Sequence, residues 1–491
     1  MPTSGRFSQD GATSPARSRE TTDPATLPQR RKIGILLICC MSLLIVGMDN
    51  TIVNVALPSI GRDFHATVSG LQWTVDAYIV VLASLLMLSG STADRLGRKR
   101  TFQVGLVLFT LGSLLSSLAP GLVWLVVFRM LQAIGGSMLN PVAMSIIRNT
   151  FDDPRQRAQA IGVWGAVVGI SIAMGPVVGG ALVQSVGWRS IFWVNIPIGV
   201  VAVVLTALFV PESRAPNPRR IDVFGQVLVI VALAAVTYGV IEGPNAGWTS
   251  TTILGMFVLA AAAVGGLLVY EPRRRDPLLE LRFFRSVPFS GATLIAVAGF
   301  AAYAGFLFLN TLYLQEVRHL SAFEAGLYTL PMAGMALVLS PVSGWLVGRV
   351  GSRVPLVLGG ASLTAAGLML TRLTTDTPHL TLIVIYLVFG IGFGLINAPI
   401  TDTAVAGMPP SQAGVASAVA STSRQVGAAL GVAIIGVAAT AGLGSHLAGR
   451  LAQASHAGWW IMTGCSLVVL ALGMVTTTRR ARRTALAAAE L

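Results

Sequence analysis

Long apolar blocks recur from one end of the chain to the other, and they decide which folds are available to it. Many blocks reach the roughly 18–20 residues that an α-helix needs to cross about 30 Å of hydrocarbon. Inside a bilayer the backbone N–H and C=O groups must be satisfied within the protein, so blocks of this kind form helices. The composition agrees, since 54% of the 491 residues are hydrophobic and 11% are charged. The sequence therefore predicts an all-α integral membrane protein.

Fourteen membrane-spanning helices are predicted. They lie at residues 34–59, 72–92, 102–119, 122–147, 160–185, 190–210, 223–242, 252–270, 289–315, 323–347, 354–372, 380–402, 414–440 and 457–477. With the N-terminus inside, 27 of the 34 basic residues fall on the inner side, as expected for cytoplasmic loops. We therefore expect an even number of spans, both termini in the cytoplasm and a location in the cytoplasmic membrane. These loops account for the net charge of +14, which argues against nucleic-acid binding.

Internal repetition divides the spans into two halves. Residues 90–98 are repeated at 344–353, and residues 136–141 at 394–399, each copy about 255 residues after the first. Two parallel six-helix repeats are typical of transporters, with the substrate site at mid-membrane between them. The predicted divisions are a disordered cytoplasmic tail at 1–33, a six-helix bundle at 34–210, an inserted helix pair with cytoplasmic linkers at 211–287, a second six-helix bundle at 288–477 and a basic cytoplasmic tail at 478–491.

The loop after the second span carries the most specific pattern. It contains Gly90, Asp94, Arg95, Gly97 and Arg98. The glycines allow helix ends to approach closely, Asp94 can cap or pair across the helix ends, and the basic residues hold the loop at the cytoplasmic face. A simple positive-inside loop is the alternative interpretation. The spacing resembles motif A of the major facilitator superfamily, for which a conformational gating role is implied.

Further segments resemble the fourteen-span drug–proton antiporters of that superfamily, the EmrB/QacA-like group. Residues 48–58 resemble its first-helix motif, residues 129–136 resemble motif B with Ala133 in place of the usual glycine, and residues 188–199 and 424–431 match further segments. Motif C, the antiporter signature, is matched by Gly169, Gly175, Pro176, Gly179 and Gly180. These residues fit tight helix packing, and they equally fit a hinge or seal for alternating access. The resemblance covers nearly all of residues 34–477 and implies the major facilitator fold.

Charged residues inside spans point to mechanism, because a charge at mid-bilayer costs at least ~2.5–3.5 kcal/mol and usually lines a cavity or pathway. Asp49, Asp76 and Arg129 are expected together in the outer half of the first bundle, where burial and a neighbouring arginine can poise a carboxyl group for proton coupling. The resemblance implies a part for Arg129 in a proton relay. Alternatively, Asp76 and Arg129 form an ion pair that locks two helices, or one acid is purely structural. Arg424 has no partner identifiable from the sequence.

Several polar and aromatic residues within spans are candidates to line the substrate cavity: Trp73, Tyr78, Asn310, Tyr313, Gln315, Asn397 and Arg424. Trp164, Tyr303, Phe306, Tyr386 and Phe393 are further aromatic candidates, although aromatic residues in spans more often pack or face lipid. Some dication exporters of the family carry an additional acid in the helix equivalent to span 12, and residues 380–401 contain none. Neutral, zwitterionic, amphiphilic and monocationic substrates therefore remain open.

The predicted function is proton-coupled efflux of drugs, antibiotics or other amphiphilic small molecules across the cytoplasmic membrane. The alternative is a dedicated exporter of one endogenous metabolite. Neither of the two lysines, Lys32 and Lys99, follows a glycine, so the chain contains no P-loop. The sequence shows no metal-ligand spacing and no nucleophile elbow, so we expect neither an enzyme nor a cofactor. The expected partners are the small-molecule substrate, protons and the lipid bilayer, with a monomer as the transport unit.

Overall fold

The computed structural model is helical, and no β-strand occurs among the residues that it describes. The described residues are 28–215, 221–274, 277–278, 280–406, 408, 413–440, 447–478, 480–481 and 483–485. Most of the predicted N-terminal tail and much of the predicted basic tail therefore lie outside them.

The helices of the described chain follow one another with short connections. They are α1 Gln29–Phe64, α2 Val68–Leu96, α3 Arg98–Ser117, α4 Leu122–Thr150, α5 Pro154–Ser185, α6 Ser190–Trp193, α7 Asn195–Phe209, α8 Val223–Ala246, α9 Thr251–Tyr270, α10 Val287–Leu312, α11 Ala322–Tyr328, α12 Leu330–Val350, α13 Arg353–Leu370, α14 His379–Val405, α15 Ala413–Thr440 and α16 Leu447–Thr476. Short 3-10 helices at Glu271–Arg273 and Leu281–Arg285, and a π-helical turn at Tyr313–Val317, complete the set.

The membrane-spanning pattern matches the prediction closely. Thirteen helical segments of the described chain are long and apolar enough to cross a membrane, with α6–α7 and α11–α12 each counting as one segment. The helix outside this group is α3, which is 20 residues long but begins with Arg98, Lys99 and Arg100. Helix α3 packs against α4 and α7 and covers nearly all of the predicted span at 102–119.

Helix starts follow local side-chain chemistry, and α1 begins earlier than predicted. Asp153 caps α5 by accepting hydrogen bonds from two backbone N–H groups, with Pro154 at the first helical position. Ser321 and Glu324 form a reciprocal capping box at α11. Helix α1 starts at Gln29, so residues 29–33 are helical rather than part of the tail. Arginine and lysine propagate a helix well, and their long side chains reach the membrane surface.

Helix packing produces two halves and an attached hairpin. Helices α1–α7, here the N-terminal half, pack against one another, and so do α10–α16, the C-terminal half. Helices α8 and α9, the inserted pair, pack together, and α8 lies against α2. Near one end of α8, Gln226 Nε2 donates to the backbone carbonyl of Ser84. Near the other end, the Trp73 indole N–H donates to Glu242 across 2.8 Å.

The two halves meet at the ends predicted to face outward. Gln315 Nε2 donates to the carbonyl of Val55 across 2.8 Å, and Gln72 Nε2 donates to the carbonyls of Val432 and Ala433 across 2.9 and 3.0 Å. Arg62 forms an exposed ion pair with Glu316 at 3.2 Å. These contacts close this end of the interface between the halves.

Toward the predicted inner end, the glycines of helices α5 and α12 have few close neighbours. Leu337 of α12 still lies against Gly169 of α5, so the two helices touch near the middle of the membrane. Farther in, a Cβ atom built on Gly162 or Gly165 of α5, or on Gly344 or Gly348 of α12, would meet no atom within 4 Å. Hydrogen bonds therefore join the halves at the end predicted to face outward, and these four glycines toward the other end border open space.

Candidate functional site

A buried ion pair joins Asp49 of α1 to Arg129 of α4. The Nη1 atom of Arg129 donates a hydrogen bond to Oδ2 of Asp49. The Asp49 side chain is 0% exposed and the Arg129 side chain 2% exposed. Since an unpaired charge at this depth is expensive, each of these side chains makes the burial of the other possible.

Two side-chain amides complete the environment of the Asp49 carboxylate. Gln132 Nε2 on α4 and Asn195 Nδ2 on α7 both donate to Oδ1 of Asp49, across 2.9 and 3.1 Å. Asn195 Nδ2 also donates to the hydroxyl of Ser113 across 3.1 Å, and that hydroxyl donates to the carbonyl of Phe192. Side chains of α4 and α7 therefore surround the carboxylate on α1, and α3 holds one of them, Asn195, in place.

Gln132 and Asn195 lie in the family motifs at 129–136 and 188–199, but the sequence assigned neither residue a role. The sequence feature that could have identified them is an amide side chain inside an apolar span. Such a group needs a polar partner once it is buried, and Asp49 is that partner for both.

The guanidinium of Arg129 is enclosed by groups from three helices. Nη1 donates to Oε1 of Gln132 across 2.9 Å, and Nε points to the carbonyl of Thr74 at 3.5 Å. The guanidinium carbon of Arg129 lies 4.2 Å from the centroid of the Tyr78 ring, in cation–π geometry. Tyr78 was a candidate for the substrate cavity, and the structure places it against the ion pair.

Asp76 lies apart from this pair. Its side chain is 0% exposed, and neither carboxyl oxygen has a hydrogen-bond partner among the described residues. Arg129 pairs with Asp49, so the alternative in which Asp76 and Arg129 lock α2 to α4 is not the observed arrangement. Asp76 follows Gln72 by one helical turn and so shares its face of α2, which packs against α15 of the other half.

The motif A loop is tied to the segment that follows α7. Arg98 pairs with Asp94 one turn away at 3.0 Å. Gly97 has a φ of 116°, which favours glycine, and the Glu212 carboxylate occupies the space that a Cβ atom would need. Glu212 accepts hydrogen bonds from the backbone N–H groups of Lys99 and Arg100 across 3.1 and 3.3 Å.

Sequence reasoning did not single out Glu212. It caps the N-terminus of α3, where a negative charge is favourable. Of the remaining predicted motif A residues, Arg95 is exposed, and a Cβ atom on Gly90 would meet no atom within 4 Å.

The glycines of motif C have two kinds of neighbour. Gly175 and Gly179 face Thr51 and Ile52 of α1, where a Cβ atom would overlap the existing side chains. Gly180 faces the backbone of α11 in the other half, and Gly326 of α11 faces the carbonyl of Pro176 in return. The same stretch of α5 therefore packs tightly against α1 within the N-terminal half and contacts α11 of the C-terminal half.

The remaining cavity candidates are dispersed. Trp73 contacts the inserted helix α8 through Glu242. Gln315 bonds the other half at the outer end, and the Tyr313 hydroxyl donates to the carbonyl of Thr374 across 2.7 Å. Asn310 is buried within the C-terminal half, where it accepts a hydrogen bond from Tyr386.

Asn397 and Arg424 are the candidates that the structure brings together. Nη2 of Arg424 donates to the carbonyl of Asn397 across 3.2 Å and to the hydroxyl of Thr401 across 2.6 Å. Both partners lie on α14, so the arginine that had no partner in the sequence links α15 to α14. No group of three or more His, Cys, Asp or Glu side chains in the described part of the chain could hold a metal ion.

Two six-helix halves closed against each other at one end, with a buried ion pair inside one half, define a membrane transporter built from repeats. The family model described as Major Facilitator Superfamily matches residues 39–432. The chain belongs to the major facilitator superfamily, which confirms the resemblance inferred from its motifs.

Curated relatives with similar sequences have names that refer to drug or antibiotic resistance. The tetracenomycin C resistance and export protein of Streptomyces glaucescens is 36% identical, over 88% of this chain and 80% of its own length. The multidrug resistance protein Stp of Mycobacterium tuberculosis is 37% identical, over 87% of this chain and 79% of its own length. The methylenomycin A resistance protein of Streptomyces coelicolor is 36% identical, over 79% and 82% respectively.

Solved structures support the fold at lower sequence identity. A bacterial homologue of the human lysosomal transporter Spinster, in an inward-facing conformation, gives a TM-score of 0.64 at 18% identity, covering 94% of this chain and 99% of its own. An auto-inhibited peptide transporter of the POT family gives a TM-score of 0.69 at 17% identity, covering 92% and 97%. The all-helical major facilitator fold predicted from the sequence is confirmed.

Proposed function

We propose that this transporter is a proton-coupled exporter that expels drugs, antibiotics or other amphiphilic small molecules from the cytoplasm. The names of its relatives support export and resistance as the activity. The buried pair of Asp49 and Arg129, with two amides on the carboxylate, is the observation that carries the coupling. The proton gradient is its energy source without a cofactor, a monomer is the transport unit, and both termini lie in the cytoplasm.

Coupling of proton movement to export follows from the effect of Asp49 protonation on the ion pair. When Asp49 takes up a proton, its charge disappears and Arg129 is left as a buried cation with neutral neighbours. A buried charge that loses its partner is destabilised by several kcal/mol. A change of this size can shift a conformational equilibrium between two states of the transporter. Proton uptake from outside and release to the cytoplasm would thereby alternate with substrate export.

The outer contacts between the halves must break during this cycle. In the observed state Gln72 and Gln315 bridge the halves, and Asp76 lies in the same α2 face as Gln72. Separation of α2 from α15 would expose Asp76 to the outer side. We therefore propose Asp76 as a second group that exchanges protons, in addition to Asp49.

A dedicated exporter of one endogenous metabolite remains the second candidate. Two relatives are named for resistance to a single antibiotic, tetracenomycin C or methylenomycin A, whereas another is named for multidrug resistance. Export of chemically unrelated dyes and antibiotics by the purified protein would support multidrug efflux. Export of one compound from a broad panel would support the dedicated exporter.

The decisive experiment is uptake of dyes into proteoliposomes with an imposed pH gradient, acid inside. Wild-type protein should accumulate dye, and a protonophore should abolish accumulation. Asp49→Asn should abolish gradient-driven accumulation, whereas Asp376→Asn, in an exposed outer loop, should leave it unchanged. The double variant Asp49→Asn/Arg129→Gln removes both charges, so it separates loss of coupling from loss of folding. Full activity of Asp49→Asn, or uptake that ignores the gradient, would exclude proton coupling through this site.

A further inference from the structure

An aromatic cluster lies about halfway along the helices of the C-terminal half. The rings of Tyr303 on α10 and Phe393 on α14 stack with centroids 4.1 Å apart and planes 12° from parallel. Phe300 on α10 meets Phe393 edge-on at 5.4 Å. The cluster thus joins two helices at mid-membrane depth, where repeat transporters hold their substrates.

Arg424 on α15 adds a cation to this cluster. Its guanidinium carbon lies 5.8 Å from the Phe300 ring centroid. Nη2 is occupied by the Asn397 carbonyl and the Thr401 hydroxyl, whereas Nη1 has one contact of 3.5 Å, with Ser421. Nε has no partner among the described residues. A guanidinium offers five N–H donors, so Arg424 retains donors for a further acceptor.

No carboxylate neutralises Arg424 in the described chain. Asp402 follows Thr401 directly, but its carboxylate accepts a hydrogen bond from Ser352, at the start of α13. In the other half, the Asp49 carboxylate is paired with Arg129 and Asp76 is fully buried. The cation at mid-membrane is therefore held by neutral groups, and a charge in that position usually marks a substrate or ion pathway.

The exposure of the cluster indicates which atoms a substrate would meet. Tyr303 and Phe393 are 8% and 3% exposed, so the stacked pair forms a rigid wall. Phe300 and Arg424 are partly exposed. The Tyr303 hydroxyl is buried without a hydrogen-bond partner among the described residues. The partly exposed residues of the cluster thus supply an aromatic face and a cation, and two buried groups beside them, the Tyr303 hydroxyl and Nε of Arg424, lack hydrogen-bond partners among the described residues.

We propose that this cluster is the substrate subsite, and that it selects aromatic compounds carrying an anionic group such as a phenolate or carboxylate. The ring of the compound packs on Phe300, and its anionic oxygen accepts hydrogen bonds from the guanidinium of Arg424, whose Nη1 has one weak contact. Charge-assisted bonds to a guanidinium are the strong class of hydrogen bond, and they favour planar oxyanions. This inference rests on the proposed export function and specifies the substrate class of that function.

The test uses two dyes with one ring system and opposite charge. Fluorescein methyl ester is an anionic xanthene, and rhodamine 123 is its cationic counterpart. The full-length protein in proteoliposomes should transport the anionic dye with the lower KM. Arg424→Gln should raise the KM for fluorescein methyl ester about 10- to 100-fold, the range expected for a lost charge-assisted pair, while rhodamine 123 transport is maintained. Arg372→Gln, a matched change in an exposed outer loop, should alter neither dye.

Two further variants keep the proposal testable if Arg424→Gln does not fold. Arg424→Lys retains the charge but loses the planar donor fork, so the anionic dye should lose affinity less than in the glutamine variant. Phe300→Leu should raise the KM for both dyes to a similar extent, because ring contact does not depend on charge. Equal effects of Arg424 variants on both dyes, or preference of the wild-type protein for the cation, would overturn the subsite. Failure of the wild-type protein to transport either dye or any compound of the broad panel would instead overturn the proposed export function.

Discussion

Replacing Asp49 and Arg129 one at a time is expected to have unequal effects on stability. Asp49→Asn leaves Arg129 charged, since arginine does not lose its proton in proteins, and the new amide places a donor opposite Nη1. Breaking a buried pair in this way costs about 3–5 kcal/mol. Arg129→Gln leaves a carboxylate that can become neutral by taking up a proton.

The Asp49 carboxyl group in Arg129→Gln would also retain two hydrogen bonds. Gln132 and Asn195 donate to it across 2.9 and 3.1 Å, independently of Arg129. The expected loss is therefore about 1–2 kcal/mol, comparable with one poorly satisfied buried polar group. The double variant Asp49→Asn/Arg129→Gln carries no buried charge at this position, so its loss should be close to that of Arg129→Gln alone.

The free energy of unfolding can be measured by SDS titration in mixed micelles, with the fluorescence of the nine tryptophans as the signal. The exposed pair of Asp63 and Arg189 serves as the control, because its side chains are 44% and 39% exposed and such pairs contribute about 0–1 kcal/mol. Equal losses for the two single variants would refute the reasoning. So would a double variant whose loss equals the sum of the single losses, since contacting residues must show coupling.

Three other predictions concern packing and capping. Gly180→Val should reduce transport at least ~10-fold, because its side chain would overlap the α11 backbone and hold the outer ends of the two halves apart. Gly162→Val, which places its side chain in open space, should be tolerated. Labelling of an introduced cysteine from the outer side measures how far the outer ends have separated. Glu212→Gln should lower the free energy of unfolding by about 1 kcal/mol through loss of the charged cap on α3, with Asp376→Asn unchanged in the same SDS titration. Glu242→Gln should weaken the contact between the inserted pair and α2. The expected readout is faster protease cleavage of the linkers around α8 and α9. An unchanged cleavage rate would contradict a role of Glu242 in holding α8 against α2.

The fold could be predicted from the sequence because its main determinants are local. A helix must satisfy its own backbone in lipid, so long apolar blocks such as residues 289–315 define spans without reference to any neighbour. Helix α3 was predicted in the same way, at 102–119, although the three basic residues at its start lower its mean hydropathy. The motifs then identified the superfamily, and the match of its family model to residues 39–432 confirms this.

The candidate site was predictable in part. Asp49 and Arg129 stood out because charges are rare inside spans, but their pairing with each other depends on how α1 and α4 are placed side by side. The amides of Gln132 and Asn195 could not be assigned, since 3 and 66 residues separate them from Arg129 and the sequence does not give the distance between helices. Glu212 was missed because its role as a cap on α3 arises from a contact between segments remote in sequence.

The sequence by itself determined the class of molecule, the number of spans and the superfamily, because these follow from hydrophobic length, loop charge and local motifs. The tertiary structure decided which buried charges meet: Asp49 is paired, Asp76 is buried without a partner and Arg424 is bound by neutral groups. It also decided which ends of the halves are in contact. These outcomes depend on distances of a few ångströms between helices, and the energy of a buried charge depends on those distances.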